Sequence, residues 1–312
     1  MSTIALVVGQ APSAKALTFQ FDYTYDTQNF FDPNVTEGAA RRATLEAAAN
    51  YFEPFTDNLS KIEVGTGQTW TPRITHPGTG LTFNATDYKN YILPEDTILI
   101  FAGGRDLGRS LGEGGPGGYT TTSISFIDDL TVRGQGTTSG LTATDFALWG
   151  GSIAFDNSSS TNWNNSHTQE PVNGENDLLS VAIHELSHVL GFGIADSWDN
   201  LVDRDNNVFV GTNSVFENSG NVTLEADEGH WLEGISSDIT INGTGTQEAA
   251  LDPSLTTGTR KLMTNLDYAG LTDVGWETAA VTAAVPFEFS PSLGIFLVSG
   301  FFGIKKVWHS VK

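Results

Sequence analysis

The amino-acid sequence predicts an α+β fold, in which strands are backed by helices. The stretch Glu37 to Phe52 places alanine and aromatic residues at helical spacing and stops before Pro54, which predicts an early amphipathic helix. Thr97 to Phe101 is apolar enough to be the central strand of a sheet. A second helix is predicted to begin near Leu178, where Asp177 can cap it. This order of helix, strand and helix is typical of an α+β layer.

Three further segments read as strands: Ile62 to Val64, Ser123 to Ile127, and Leu148 to Phe155. The last one precedes the second helix, so it is either an ordinary paired strand or the edge of a cleft on which an extended substrate pairs. Between the strands, Gly103 to Gly118 is rich in glycine and lacks the Gly-Lys-Ser/Thr ending of a phosphate-binding loop. It is therefore predicted to be a flexible surface loop.

Length and composition limit the possible functions. The 312 residues suit an enzyme, built as one large domain or as two subdomains around a cleft. Acidic residues outnumber lysine and arginine by 37 to 15, and the net charge of -22 argues against nucleic acid as a partner. The sequence contains no cysteine, so disulfides, thiol nucleophiles and cysteine-ligated zinc are excluded. A metal ion would have to be held by His, Asp and Glu.

The N-terminal residues predict export. A short apolar run from Ile4 to Val8 is followed by Ala14-Lys15-Ala16, which fits the small-x-small pattern of a signal-peptidase site. Residues 1–16 are therefore interpreted as a signal peptide.

The C-terminal residues also predict sorting to the cell envelope. Val285-Pro286-Phe287-Glu288 leads into the apolar run Leu293 to Ile304, which Lys305 and Lys306 close. This order resembles a PEP-CTERM-type sorting signal in its Pro-Phe-Glu variant. The resemblance implies that residues 281–312 hold a precursor in the inner membrane with the basic end in the cytoplasm, until a sorting protease acts on it. A buried C-terminal helix is the alternative.

The segment His184-Glu185-Leu186-Ser187-His188 predicts the chemistry. The two histidines are four residues apart on the second helix, so both imidazoles project from one face and can bind one ion. Glu185 adjoins the first histidine and is placed to act as a general base toward a water that zinc has made acidic. This pattern indicates a zinc-dependent peptidase with one catalytic Zn²⁺.

Two histidines leave a catalytic zinc one protein ligand short. In the compact pattern of the metzincin family, a third His or Asp ligand stands three positions after the glycine. Here that residue is Ile194, so the compact form is excluded. Asp196 and several later acids follow in the sequence. His230, in Glu228-Gly229-His230-Trp231, is the only histidine between the helix and the C-terminal segment.

Gly191 after the helix, a long insertion and a distant His followed by Trp231 together resemble the leishmanolysin-like metzincins. The resemblance implies that His184, His188 and His230 bind zinc and that Glu185 is the general base of an endopeptidase. It also implies a twisted mixed sheet backed by helices in a domain of residues 17–280. An upper subdomain would cover about 17–193, and an irregular lower one about 194–280.

A metzincin also has a methionine in a tight turn beneath the zinc. Ala249-Ala250-Leu251-Asp252-Pro253 resembles that turn with Leu251 in place of methionine, and Met263 is the alternative. Leu266 to Trp276 would then be the closing helix, ending at Gly275.

Other interpretations of the same residues remain open. In a gluzincin, a glutamate on a second helix, such as Glu217 or Glu225, would be the third ligand. A surface-anchored binding or matrix protein would keep the zinc site without turnover. Asp203 to Asn207 alternates oxygen ligands as calcium loops do, but it lacks the turn glycine and the final bidentate glutamate, which favours a solvated turn over a Ca²⁺ site.

Overall fold

The computed structural model describes residues 16–278. Over this range the fold is α+β, as the sequence predicts, with helices and several sheets. The predicted sorting segment, and all but the last residue of the predicted signal peptide, lie outside the described residues. Within 16–278, no helix is both long and apolar enough to cross a bilayer.

The described chain contains six α-helices and fourteen strands. The helices are α1 (Thr36–Ala49), α2 (Ile127–Thr131), α3 (Leu178–Val189), α4 (Asp196–Asp199), α5 (Thr212–Glu217) and α6 (Asn265–Val274). The strands are β1 (Thr18–Asp22), β2 (Trp70–Thr75), β3 (Thr82–Asn84), β4 (Thr97–Arg105), β5 (Gly112–Pro116), β6 (Gly118–Thr121), β7 (Gly150–Asp156), β8 (Trp163–Asn164), β9 (Asn176–Asp177), β10 (Val202–Asp203), β11 (Val208–Phe209), β12 (Val222–Thr223), β13 (Ser236–Ile239) and β14 (Gly245–Glu248). Short 3₁₀ turns cover Asn50–Phe52, Thr86–Tyr88 and Ile124–Phe126.

The main sheet has the order β1-β4-β7-β5. Strands β1, β4 and β7 run parallel, while β5 is antiparallel to β7 and forms one edge. The prediction that Thr97 to Phe101 lies in a central strand is confirmed. Alternate β4 residues point to opposite faces, and both faces are buried. Ile98, Ile100 and Ala102 pack in the helix-side core, and Leu99 and Phe101 pack with Trp70 and Trp149 on the other side.

Helix α1 packs against α3, and α3 in turn packs against β5 and β7. The predicted helix over Glu37 to Phe52 is confirmed as α1 and the 3₁₀ turn that follows it. Leu45 and Ala48 of α1 are fully buried, and every residue of α3 except His184 is buried. Helix α3 is therefore packed between α1 on one side and the main sheet on the other.

The strand predicted over Ile62 to Val64 is wrong. Only Ile62 pairs, in a single antiparallel bridge to Leu93. In this antiparallel register Val64 would face Tyr91, whose backbone N–H donates instead to the carbonyl of Tyr88, so the ladder does not continue.

The strand predicted over Ser123 to Ile127 is also wrong. The chain forms a 3₁₀ turn over Ile124–Phe126 and then α2. Phe126 and Leu130, four residues apart, are buried, whereas the side chain of Ile124 is 88% exposed. Burial thus follows the helical period, and the short alternation in the sequence was misleading.

The flexible loop predicted over Gly103 to Gly118 is largely extended structure. β4 continues to Arg105, β5 begins at Gly112, and β6 begins at Gly118. The glycines allow close packing, because a Cβ added at Gly114 would stand 2.5 Å from the backbone oxygen of Glu185. Because Gly112 and Gly114 have no side chains, the backbone of β5 lies directly on α3 at these two positions.

The edge of the main sheet beside α3 is β5 rather than the predicted segment Leu148 to Phe155. That segment forms β7, which is paired on one side with β4 and on the other with β5. All seven residues of β7 are buried, so β7 has no free edge. Of the two alternatives in the sequence, the ordinary paired strand is the correct one.

The part of the chain between α3 and α6 consists of short helices and short hairpins. It ends in α6, whose first turn has a capping box formed by Thr264 and Asp267. Gly275 terminates the helix with φ of 132°. The predicted closing helix that ends at Gly275 is therefore confirmed.

Candidate metal centre

Asp177 fixes the first turn of α3. Its carboxylate accepts hydrogen bonds from the backbone N–H and the hydroxyl of Ser180. The Arg260 guanidinium binds both carboxylate oxygens, at 2.7 and 2.9 Å. Because Asp177 is fully buried, this bidentate pair offsets the cost of removing its charge from water. The predicted cap and the predicted start at Leu178 are confirmed.

Helix α3 places His184 and His188 one turn apart on the same face. Their ring centroids are 4.7 Å apart, and their Nε2 atoms are 3.0 Å apart. After Leu190 the chain turns away at Gly191, whose φ is 93°. The predicted left-handed turn at Gly191 is confirmed, and it directs the chain into a long insertion before His230.

The insertion returns to α3 because its core is a cluster of stacked aromatic rings. Trp198 stacks on Phe209 with ring centroids 4.1 Å apart, and Trp231 packs edge-on against Phe192 at 4.9 Å. All four rings are fully buried. Burial of the Trp231 ring in this cluster brings its neighbour His230 over the helix.

Three imidazole nitrogens converge at one point. The Nε2 atom of His230 lies 3.2 Å from Nε2 of His184 and 3.1 Å from Nε2 of His188. Each ring directs its other nitrogen to an acceptor: Nδ1 of His184 to the carbonyl of Ala250 at 2.8 Å, Nδ1 of His188 to the carbonyl of Phe192 at 2.9 Å, and Nδ1 of His230 to the carboxylate of Asp227 at 2.8 Å. These acceptors can only receive a hydrogen bond. The proton of each neutral ring therefore sits on Nδ1, and three Nε2 lone pairs face one another.

The surroundings keep two of these imidazoles neutral. Burial is the largest cause that lowers the pKa of His184 well below its ordinary value, followed by the proximity of His188 and His230. Burial and the proximity of His230 lower the pKa of His188 to about 4. Neutral imidazole is the form that binds a metal ion, so the folded chain holds these side chains in their ligand state.

The spacing of the nitrogens fits a small tetrahedral ion. Zn–N bonds of about 2.0–2.1 Å separate two ligand nitrogens of a tetrahedron by about 3.3–3.4 Å. The observed separations of 3.0–3.2 Å are within a few tenths of an ångström of that value. In the described part of the chain, these three histidines form one of two groups whose ligand atoms are close enough to hold a metal ion. Facing lone pairs repel one another, and a cation between them removes that repulsion.

The second group consists of acids around an ammonium. Glu233, Glu248 and Asp252 lie close together, but the Nζ atom of Lys261 contacts Asp252 at 2.6 Å and Glu248 at 2.9 Å. It also donates to the carbonyl of Ser254 at 2.8 Å. The side chain of Lys261 therefore already supplies the positive charge of this group.

Glu185 lies beside the three histidines and beneath β5. It is 6% exposed, and burial raises its pKa to about 8, with a further contribution from the charge of Glu113. The nearby backbone N–H of Gly114 acts in the opposite direction and lowers the pKa of this carboxyl. A divalent cation at the histidines would also favour the ionised form. A metal ion at the histidines would therefore determine how tightly the carboxylate of Glu185 holds a proton.

The histidines and Glu185 lie in a cavity of about 640 Å³. It is lined by residues of β5 and by the segment from Ala250 to Leu255. Ser180, Lys261, Ile194 and Gly229 also belong to the lining. The cavity therefore borders β5, an edge strand of the main sheet, at Gly112 to Gly114.

The other candidate third ligands lie outside the group of histidines, and their carboxylates accept hydrogen bonds from other parts of the chain. Asp196, at the start of α4, accepts a hydrogen bond from the N–H of Gly140. Glu217 accepts from the hydroxyl of Ser237, and Glu225 accepts from the N–H of Glu233. None of them belongs to the group formed by His184 and His188. Of the candidates, the structure brings only His230 to the pair on the helix.

The segment that resembles the methionine turn does lie against the site. The carbonyl of Ala250 contacts His184, and the carbonyl of Leu251 accepts the N–H of Trp231 at 3.0 Å. Leu251 and Met263 are both fully buried. In the predicted calcium-like segment, the carboxylate of Asp203 accepts hydrogen bonds from its own loop, as expected for a solvated turn.

The roles of several residues of the site were not predicted from the sequence. Asp227 precedes His230 by three residues, a spacing that could have suggested a partner for the imidazole. Gly114 was hidden in a glycine-rich stretch interpreted as a loop, and Lys261 and Asp267 reach the site only through tertiary contacts. Comparison with protein-family models, with curated proteins and with solved structures finds no match for this chain.

Proposed function

We propose that this protein is a zinc-dependent endopeptidase. The observation that supports the proposal most strongly is the convergence of three Nε2 lone pairs, from His184, His188 and His230, beside the buried carboxylate of Glu185. Zinc bound by three histidines supplies an electrophile that makes a water acidic and polarises a peptide carbonyl.

The chain's own groups have definite roles in this proposal. Glu185 accepts the proton that the attacking water loses, and then gives it to the amine nitrogen as the peptide bond breaks. The Nδ1 hydrogen bonds to Ala250, Phe192 and Asp227 keep the three imidazoles oriented. The unpaired side of β5 offers N–H and C=O groups to an extended peptide, so protein or peptide is the proposed substrate.

The fold supports a finer assignment. A helix with two metal-facing histidines lies under a mixed sheet whose antiparallel edge strand borders the cavity, and Gly191 begins the insertion that leads to the distant His230. We propose a metzincin-like fold of the leishmanolysin-like kind, with the turn at Ala250 and Leu251 in the place of the methionine turn.

We also propose that the protein is exported to the cell envelope, with the membrane contacted only through residues 281–312. The support is the order of motif, apolar run and basic end in the sequence. Fractionation of cells that produce the full chain and a chain ending at Ala280 tests this. The full chain should sediment with membranes and the shortened one should not; equal distribution of the two would reject the anchor.

The test of the enzymatic proposal combines metal content with cleavage. Purified protein should contain one zinc ion per chain and should cleave casein and a mixed peptide library, and a chelator should abolish cleavage until zinc is restored. Glu185→Gln should keep the zinc and lose at least about a hundredfold in rate, because only the general base is removed. Cleavage that survives chelation would reject the proposal. Zinc binding without cleavage would instead identify a binding protein that keeps the fold.

A further inference from the structure

One buried carboxylate on α6 gathers hydrogen bonds from three separate parts of the chain. Asp267 is fully buried and accepts five hydrogen bonds. Two come from its own helix cap, the N–H and hydroxyl of Thr264, both at 2.8 Å. The other three come from the N–H of Ala250 at 2.9 Å, the N–H of Leu251 at 3.2 Å and the indole N–H of Trp231 at 3.1 Å.

The three donors from outside α6 belong to residues that contact or adjoin two of the three histidines, His184 and His230. The peptide unit of Ala250 is held at its N–H by Asp267, and its carbonyl accepts the Nδ1 proton of His184. Trp231 is tied twice, through its indole to Asp267 and through its backbone N–H to the carbonyl of Leu251, and it directly follows His230. His188 lies outside this arrangement, since its Nδ1 donates to Phe192.

We propose that Asp267 is a positioning residue for the metal centre, which sets the orientation of His184 and His230 by fixing the peptides of Ala250 and Leu251 and the ring of Trp231. The inference rests on the proposed function, since it assumes that the three histidines hold a metal ion. It assigns to one carboxylate the alignment of two ligands that come from different segments of the fold.

The role of a helix cap alone does not account for the arrangement. A capping box needs only the contacts with Thr264, and an exposed carboxylate meets that need. Asp267 is instead buried without any ion pair among residues 16–278, so only neutral donors offset the loss of hydration of its charge. Its three remaining bonds all reach residues that adjoin the metal centre.

The same helix provides a matched control. Asp273 also accepts four hydrogen bonds, all from Asn213 and Ser214 at the start of α5. It contacts none of the histidines or the segments that support them. Asp273→Asn therefore removes a comparable set of structural bonds from α6 and leaves the metal centre untouched.

The experiment measures zinc affinity by competition with a chromophoric chelator for the wild type, Asp267→Asn and Asp273→Asn. In Asp267→Asn the new amide turns a donor toward N–H groups that need an acceptor, so zinc affinity should fall at least about tenfold. Asp273→Asn should bind zinc like the wild type. A folded Asp267→Asn protein with wild-type zinc affinity would overturn the inference, and so would an equal loss in both variants.

A second measurement on the metal-free protein separates positioning from general stability. The Nδ1 proton of His184 should exchange faster with solvent in Asp267→Asn, seen by nuclear magnetic resonance, whereas that of His188 should exchange at the wild-type rate. Equal effects on both rings would overturn the inference.

If Asp267→Asn does not fold, Trp231→Phe replaces it and is compared with Trp198→Phe. Both changes remove an indole N–H and shrink a buried ring of the same aromatic cluster, but only Trp231 donates to Asp267. The zinc affinity of Trp231→Phe should fall below that of Trp198→Phe, and equal affinities would overturn the inference. A wild type that binds no zinc would reject the proposed function and this inference together. A wild type that binds zinc but cleaves nothing would reject only the peptidase activity and leave the comparison of affinities intact.

Discussion

Replacement of Asp57 by asparagine should stabilise the protein at high pH and leave it nearly unchanged at low pH. Asp57 is 2% exposed, and its carboxylate accepts the N–H of Glu277 at 3.0 Å. Burial is the main cause that raises its pKa from the ordinary value of 3.8 to about 7, and the nearby charges of Glu277 and Asp145 raise it further. The folded protein therefore holds a proton on Asp57 more tightly than the unfolded chain does.

The direction and size of the effect follow from these two pKa values. Between about pH 4 and pH 7 the folded state keeps the proton that the unfolded state has lost, so the contribution of Asp57 to the free energy of unfolding falls as the pH rises. At about 1.4 kcal/mol per pH unit, the whole difference corresponds to roughly 4 kcal/mol. Asparagine stays neutral and can still accept the N–H of Glu277, so Asp57→Asn should avoid most of this loss.

The assay is urea unfolding of the metal-free protein from pH 4 to pH 8, with chelator present because metal binding is itself pH-dependent. The curves of the wild type and Asp57→Asn should nearly coincide at pH 4 and separate by several kcal/mol at pH 8, with the variant more stable. Asp205→Asn removes one exposed charge from a hairpin, so its free energy of unfolding should change with pH as that of the wild type does. Parallel curves for Asp57→Asn as well would refute the reasoning.

Two other substitutions test packing and charge around the site. Gly114→Ala should lower the free energy of unfolding by about 1–3 kcal/mol, because its Cβ would stand 2.5 Å from the backbone oxygen of Glu185. Gly115→Ala, where the nearest atom is 3.9 Å away, should be close to neutral in the same urea titration. Lys261→Met leaves the buried carboxylate of Asp252 without its cation and should cost about 3–5 kcal/mol. Adding Asp252→Asn should restore most of that stability, and no recovery in the double variant would contradict the charge argument.

The elements that were predicted correctly are those with strong local signals. Helix α3 has a capping aspartate at its start, apolar residues at helical spacing and Gly191 at its end, so its bounds follow from the sequence. Strand β4 has an apolar run from Ile98 to Ala102, as expected of a strand buried on both faces. In both cases the residues that fix the element lie within it or directly beside it.

The elements that were missed are fixed by distant partners. Strand β5 has the sequence Gly-Glu-Gly-Gly-Pro, which has no strand pattern. It is extended because β7 pairs with it, and α3 leaves no room for side chains at Gly112 and Gly114. The supporting residues of the metal centre show the same limit. The distances from Asp267 to Ala250 and Trp231 depend on how α6 packs, and no spacing in the sequence encodes that packing.

The most direct test of the metal centre compares His230→Ala with Asp196→Ala. Both residues follow α3, but only His230 meets His184 and His188, while Asp196 is bonded to Gly140. Zinc content and peptide cleavage should therefore fall sharply in His230→Ala, because two imidazoles hold the ion loosely, and should persist in Asp196→Ala. Full zinc occupancy with cleavage in His230→Ala, or loss of both in Asp196→Ala, would contradict a site built from these three histidines.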